Sequence, residues 1–222
     1  QNLIALFYCF NFCLFAESKP FYIFVSFILS VLFTPVAIFI ANKFGIVDDP
    51  KKHKHPAVIH RTVIPRAGGL PIFVAIFVAG LFFLEPKKEL VGIFLGGLIL
   101  ILTGLFDDKY DLKSGYKLGL QTLAALVAVG FGLGIAFIAN PLSLFGFSDD
   151  SILRLDTIRL SFDFFGAHSI LILADIFALF WIIWVINMVN FSTGVDGQMP
   201  GIVFVALMVI FAASLRFFPA DP

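Results

Sequence analysis

Leu90-Val-Gly-Ile-Phe-Leu-Gly-Gly-Leu-Ile-Leu-Ile-Leu-Thr-Gly-Leu-Phe106 runs without a charge straight into Asp107-Asp108-Lys-Tyr-Asp111. As a helix, at about 1.5 Å per residue, the uncharged part crosses most of a bilayer's hydrocarbon. A charged side chain costs about 2.5–3.5 kcal/mol at the bilayer centre and less near the interface, so the aspartates mark where this helix leaves the lipid. The rest of the chain repeats the apolar half of the pattern. Of 222 residues, 60% are hydrophobic, 30 are Phe and only 14% are charged, against about a quarter charged in a soluble domain. Mean hydropathy is +1.02. This composition describes an all-α polytopic membrane protein and excludes a soluble domain with one anchor. Net charge is zero, so only the distribution of charge is informative. No nucleic-acid partner is expected; the lipid bilayer is.

Further apolar runs lie at 20–43, 67–84, 117–139, 169–190 and 200–218, with a shorter one at 3–16. Six to seven transmembrane helices are expected in one domain over 1–222. Cys9 and Cys13 lie in the first run and read as small hydrophobes on one helical face. The loops then alternate between two sides. Lys43, Lys51, Lys52, Lys54, Arg61, Arg66, Lys109, Lys113 and Lys117 fall on one side; Lys19, Lys87, Lys88, Arg154, Arg159 and Arg216 fall on the other. The positive-inside rule puts the first side in the cytoplasm of a plasma (inner) membrane. On the other side, Ile152-Leu-Arg-Leu-Asp-Thr-Ile-Arg-Leu-Ser-Phe-Asp-Phe alternates apolar and polar about Asp156-Thr157. That period predicts a small external β-hairpin turning there.

Three polar segments share the cytoplasmic parity. In the first, Asp107 and Asp108 stand at a helix C-terminus, where the dipole is negative and a cation must offset them. Hard carboxylate oxygens suit Mg²⁺, with Mn²⁺ as a substitute; a solvated acidic loop is the alternative. Lys117 and Gln121 are four apart on the next helix and reach an anion together, or Lys117 snorkels to the interface. In the second, Asn187-Met-Val-Asn190-Phe-Ser-Thr-Gly194-Val-Asp196-Gly197 places two amides on one helical face before a glycine-rich turn. Buried amides need partners, and such a turn presents backbone N–H groups to a phosphate or nucleotide; plain capping of a helix–turn–helix is the alternative. In the third, the loop 45–69 carries Asp48, His53, His55, His60, Arg61 and Arg66, a basic loop suited to phosphate or anionic headgroups. His53 and His55 read as part of a solvated loop.

Together and in this order, the segments resemble the polyprenyl-phosphate N-acetylhexosamine-1-phosphate transferases. These include the enzymes that start lipid-linked cell-wall and envelope polysaccharides and the phospho-MurNAc-pentapeptide transferase. Three matches carry the resemblance: Val47-Asp48-Asp49-Pro50 with His60, Pro65, Gly68 and Gly69; Gly104, Asp107, Asp108, Leu112, Lys117 and Gln121; and Asn187, Asn190, Gly194, Asp196, Gly197 and Gly201. The resemblance implies Mg²⁺-dependent transfer of a sugar-1-phosphate, GlcNAc-1-phosphate foremost, from a UDP-N-acetylhexosamine to polyprenyl phosphate, with release of UMP. It implies Asp107, Asp108 and Lys117 as catalytic residues and Asp108 with Asp196 as metal ligands. His60, Arg61, Arg66, Asn187, Asn190, Gly194 and Gly197 are implied to bind substrate. A homodimer is compatible with it. Two departures stand out. Thr193 replaces an Asp of the family pattern, and the family continues beyond this sequence with a further Asp-bearing loop and a His-rich loop. The chain is therefore expected to resemble the N-terminal two-thirds of such an enzyme and to be inactive alone. A catalytically degenerate scaffold and a transporter using the interfacial acids are the rival readings; a transporter predicts acids near the midplane, where only Asp175 lies within a run.

Overall fold

The computed structural model describes residues 19–48, 63–140, 143, 150–163, 167–192 and 197–217. The run at 3–16, His60, Arg61, Thr193, Gly194 and Asp196 lie outside them. Six α-helices and three two-stranded antiparallel pairs make up the described chain.

Helix α1 (Lys19–Phe44) contains Pro35 and carries Lys43 in its last turn. Gly45 ends it at φ +69°, and the Ile46 N–H reaches back to the Ala41 carbonyl at 2.8 Å. That left-handed stop needs glycine, since a Cβ disfavours the conformation. Val47–Asp48 (β1) then pairs with Ile64–Pro65 (β2), and the Arg66 N–H donates to the Ile46 carbonyl at 3.0 Å. Helix α2 (Gly69–Phe83) packs back on α1; α3 (Lys88–Tyr110) packs on α2 and on α4 (Ser114–Gly130), and α5 (Ile172–Phe191) packs on α4. Helix α6 is Gln198–Phe217.

The packing is that of helices in lipid. Among the described residues, alanines dominate the buried hydrophobic set (Ala37, Ala41, Ala75, Ala79, Ala124 and Ala174 among them), while Phe24, Phe27, Phe39, Trp181, Trp184 and Phe204 face outward. Among the described residues no large side chain is fully buried. Hydrocarbon outside the protein removes the usual drive to bury Phe and Leu, so small residues line the contacts and bring backbones close. Gly96 shows how close: a Cβ there would stand 2.9 Å from the Ala124 carbonyl oxygen.

Among the described residues three helices, Tyr22–Phe44 within α1, α3 and α5, are long and apolar enough to cross a membrane; α2 and the Gln198–Ala212 part of α6 are shorter apolar helices. Helix α2 has 15 residues and spans about 23 Å, against about 30 Å of hydrocarbon. The runs at 67–84 and 117–139 thus yield shorter helices than their apolar lengths suggest. In the second, α4 stops at Gly130, the chain turns at Gly132 (φ +103°), and Phe137–Ala139 becomes a strand, β3.

The expected hairpin is also redistributed. Ile152–Arg154 (β4) pairs backward with β3, and Arg159–Asp163 (β5) pairs forward with Ala167–Leu171 (β6), in register Arg159 to Leu171. The two halves flanking Asp156-Thr157 do not pair with each other. The extended segments leaving α4 and leading into α5 offer each half its own edge. Arg154 meanwhile closes on Asp156, donating from Nε at 3.1 Å and from a terminal nitrogen at 2.9 Å. That hydrogen bond and charge hold the partly exposed Asp156 carboxyl below the usual carboxylate range.

Candidate active site

The acids close α3 from inside it. The helix continues through Asp107 and Asp108 to Tyr110, and Asp111, left-handed at φ 49°, caps it with its N–H on the Asp107 carbonyl at 2.9 Å. Aspartate tolerates that conformation better than most residues. The run therefore ends one turn later than its apolar boundary, with both carboxylates in the last helical turn. Their charge adds to the negative end of the helix dipole, so a nearby cation is required.

Helix α4 supplies it. Lys117, in its first turn, donates from Nζ to Asp107 Oδ2 at 2.8 Å and to Asn190 Oδ1 at 3.4 Å. One turn along α4, buried Gln121 accepts from Asn187 Nδ2 at 3.1 Å. That same nitrogen also reaches the Ile183 carbonyl at 2.8 Å. The spacings explain the match. Residues four apart on α4 face residues three apart on α5, and the helices run in opposite directions, so the two pairs form successive rungs. Asn190 and Lys117 form the outer rung and Asn187 and Gln121 the buried one, where an amide without a partner would be costly.

Arg66 approaches from the third side. It is ion-paired with Asp48, whose residue is 8% exposed. Ala67, next in sequence, is buried with Ala41 and Ile46, and Leu105 of α3 packs on that cluster two residues before Asp107. Half-buried Asp108 accordingly lies among the charges of Arg66, Asp107, Lys117 and Asp111. Gly197, at φ +80°, turns the chain into α6, with the Gly201 N–H on its carbonyl at 3.1 Å.

One end of the bundle thus gathers Arg66, Asp107, Asp108, Lys117, Asn187 and Asn190. Asp175, the acid inside an apolar run, sits at the start of α5 and accepts the Leu171 N–H at 3.0 Å, a capping role. Two further residues at this end take their roles only from the structure. Asp48 reads in the sequence as part of a motif; the available signal is a carboxylate directly after Ile46-Val47, upstream of an arginine. Gln121 was noted for its spacing, without its burial against Asn187.

The sequence model of glycosyl transferase family 4 matches residues 90–219, more than half of the chain. The chain belongs to glycosyl transferase family 4. Within the family's reach it is 30% identical over 197 residues to the probable undecaprenyl-phosphate N-acetylglucosaminyl 1-phosphate transferase of Bacillus subtilis (strain 168), covering 86% of this chain and 48% of that protein. It is 28% identical over 190 residues to the undecaprenyl-phosphate alpha-N-acetylglucosaminyl 1-phosphate transferase of Thermotoga maritima, covering 86% and 51%. It is 30% identical over 206 residues to the phospho-N-acetylmuramoyl-pentapeptide-transferase of Bacillus cytotoxicus, covering 87% and 59%. The chain spans about half the length of the curated relatives it matches. No solved structure matches it. Apolar helices and these relatives together make this family 4 chain a membrane protein.

Proposed function

We propose that the chain is part of an enzyme that transfers GlcNAc-1-phosphate from UDP-GlcNAc to polyprenyl phosphate. An oxygen of the lipid phosphate attacks the sugar-linked phosphorus, the bond from that phosphorus to the bridging oxygen breaks, and UMP leaves with the bridging oxygen. The products are polyprenyl-diphosphate-GlcNAc and UMP, a first step of cell-wall or envelope polysaccharide synthesis. The observation that carries this reading is the bridge from Lys117 to Asp107 and Asn190, which joins two polar segments 73 residues apart at one end of the bundle.

Phosphoryl transfer asks a protein mainly to position groups and to offset charge. Asp107 is assigned the proton of the lipid phosphate, or the nucleophile's place in a two-step scheme. Lys117 holds Asp107 in line and faces the transferring phosphoryl group. Asn187 and Asn190 orient the sugar nucleotide, and Gly194 and Gly197 are assigned to bind it with them. Arg66, with His60 and Arg61 of the same loop, holds the lipid phosphate. The donor set fits a divalent ion of the Mg²⁺ kind. Among the described residues no three His, Cys, Asp or Glu side chains gather into a cage, and Mg²⁺ needs only one or two carboxylates beside substrate phosphates. Asp108 and Asp196 would hold it, and when bound it supplies positive charge to the diphosphate oxygens. The positive-inside rule favours the cytoplasmic face of the plasma membrane for this end.

The test uses membranes containing the full-length protein, radiolabelled UDP-GlcNAc and polyprenyl phosphate, with Mg²⁺ or with EDTA. The expected result is lipid-extractable label that depends on Mg²⁺ and is reversed by UMP. No label with UDP-GlcNAc or with other UDP-N-acetylhexosamines would overturn the reading in favour of a non-catalytic scaffold.

A further inference from the structure

The pairing of Asp48 with Arg66 carries a consequence for the phosphate end of the site. Asp48 lies in β1, 8% exposed, and its carboxylate takes a terminal nitrogen of the Arg66 guanidinium. The Arg66 side chain is 36% exposed, so one edge of the guanidinium is held inside while the group still reaches the surface. The backbone around it is tied at both ends. Val47 pairs with Pro65, Asp48 pairs with Ile64, and the Arg66 N–H is bound to Ile46. Ala67 anchors the following residue against Ala41, Ile46 and Leu105.

Without Asp48, Asp108 of α3 is the acid that competes for the same guanidinium. Arg66, like Lys117, lies near enough to Asp108 to act on its charge. A flexible arginine released from Asp48 would fold onto Asp108 and leave both groups neutralised. An arginine held by a buried carboxylate on one edge keeps its remaining donors for a second, planar or tetrahedral oxyanion.

We propose that Asp48 is a positioning residue that holds Arg66 at the rim of the Asp107–Asp108 pair, where Arg66 binds the phosphate monoester of a prenyl lipid. This rests on the transferase reading above. It goes beyond that reading in giving Asp48, absent from its list of acting residues, control over how well Arg66 serves. Asp48 itself touches no substrate. Its effect is therefore confined to binding of the phosphate-bearing lipid and passes wholly through Arg66.

The experiment measures binding of farnesyl phosphate, a short-chain prenyl monophosphate, to the purified full-length protein in detergent by titration calorimetry, with farnesol as the uncharged control. Loss of one charge-assisted hydrogen bond weakens binding about tenfold, so Arg66→Gln and Asp48→Asn are each expected to raise Kd by about that factor. The double variant is expected to bind no worse than Arg66→Gln alone, because Asp48 has nothing left to position. Asp48→Glu keeps the charge but moves it by one methylene, and is expected to fall between wild type and Asp48→Asn with unchanged elution and melting. It also carries the test should Asp48→Asn fail to fold. Wild-type Kd in folded Asp48→Asn or Asp48→Glu, with Arg66→Gln weakened, would overturn the proposal alone. Additive losses in the double variant would do the same. No wild-type binding of farnesyl phosphate would overturn both the proposal and the lipid-phosphate part of the reading beneath it.

Discussion

At the residue scale, the informative contacts are those of Lys117. Its ammonium lies on Asp107 and within reach of Asn190, so replacing it removes charge from the site and a tie between helices at once. Lys117→Met in the full-length enzyme is expected to lower turnover by about 100-fold or more, the usual cost of one preorganised cationic or hydrogen-bonding group. A partly exposed ion pair stabilises by only about 1 kcal/mol or less, so thermal unfolding in detergent should move little. A large fall in melting temperature with preserved turnover would reverse the assignment. Asp107→Asn and Asp108→Asn are likewise expected to abolish most transfer, measured as UMP release; near-normal turnover in either would remove that residue from the mechanism. Gln121 makes the opposite case. It is 3% exposed and accepts from Asn187, so Gln121→Leu leaves the part-buried Asn187 amide with one partner fewer. A stability loss of about 1–3 kcal/mol is expected from the unfolding curve. The spacing of Lys117 and Gln121 was readable as a shared helical face. Their different burial was not, because it depends on how α5 is rotated against α4.

At the element scale, the contact between α3 and α4 rests on small residues. A side chain at Gly96 would meet the Ala124 carbonyl, and a backbone cannot give way as a side-chain tip does. Gly96→Leu is expected to cost at least about 1–3 kcal/mol, the range for overpacking, seen as a lower melting temperature and loss of full-length protein from the membrane. Gly104, three residues before Asp107 on the same helix, has nothing within 4 Å of its Cβ position. Gly104→Ala is expected to leave stability unchanged or raise it by up to about 1 kcal/mol. Equal effects of the two substitutions would show that the helix contact is not where the structure puts it. The helices themselves were legible as apolar runs, with boundaries displaced wherever a left-handed residue stepped in. Asp111 extends α3 past its last apolar residue, and the turn at Gly132 follows α4 inside an apolar run. The strand signal at 152–163 was also real, but its partners were not. Alternation reports an extended backbone with two faces, whereas pairing depends on which free edges lie beside it, here β3 and β6.

At the scale of the whole molecule, parity of the helices puts the α3–α4 turn and the α5–α6 turn on one side and the α2–α3 turn on the other. With Cys9 and Cys13 replaced, Lys113→Cys and Gln198→Cys are expected to react with a membrane-impermeant maleimide from the same face of sealed vesicles, and Lys87→Cys from the opposite face. Labelling of Lys113→Cys and Lys87→Cys from one face would break the topology. The sequence by itself determined that this chain lives in lipid, where its helices run, which polar segments share a side and which family it resembles. Those properties follow from composition, run length and short motifs, each local along the chain. The tertiary structure alone decided that Lys117 joins Asp107 to Asn190, that Gln121 is buried on Asn187, that Arg66 is held by Asp48, and which strands pair. Such choices depend on the crossing and rotation of elements up to 73 residues apart, set by the close approach of alanine and glycine backbones that leave no periodic trace of their partners.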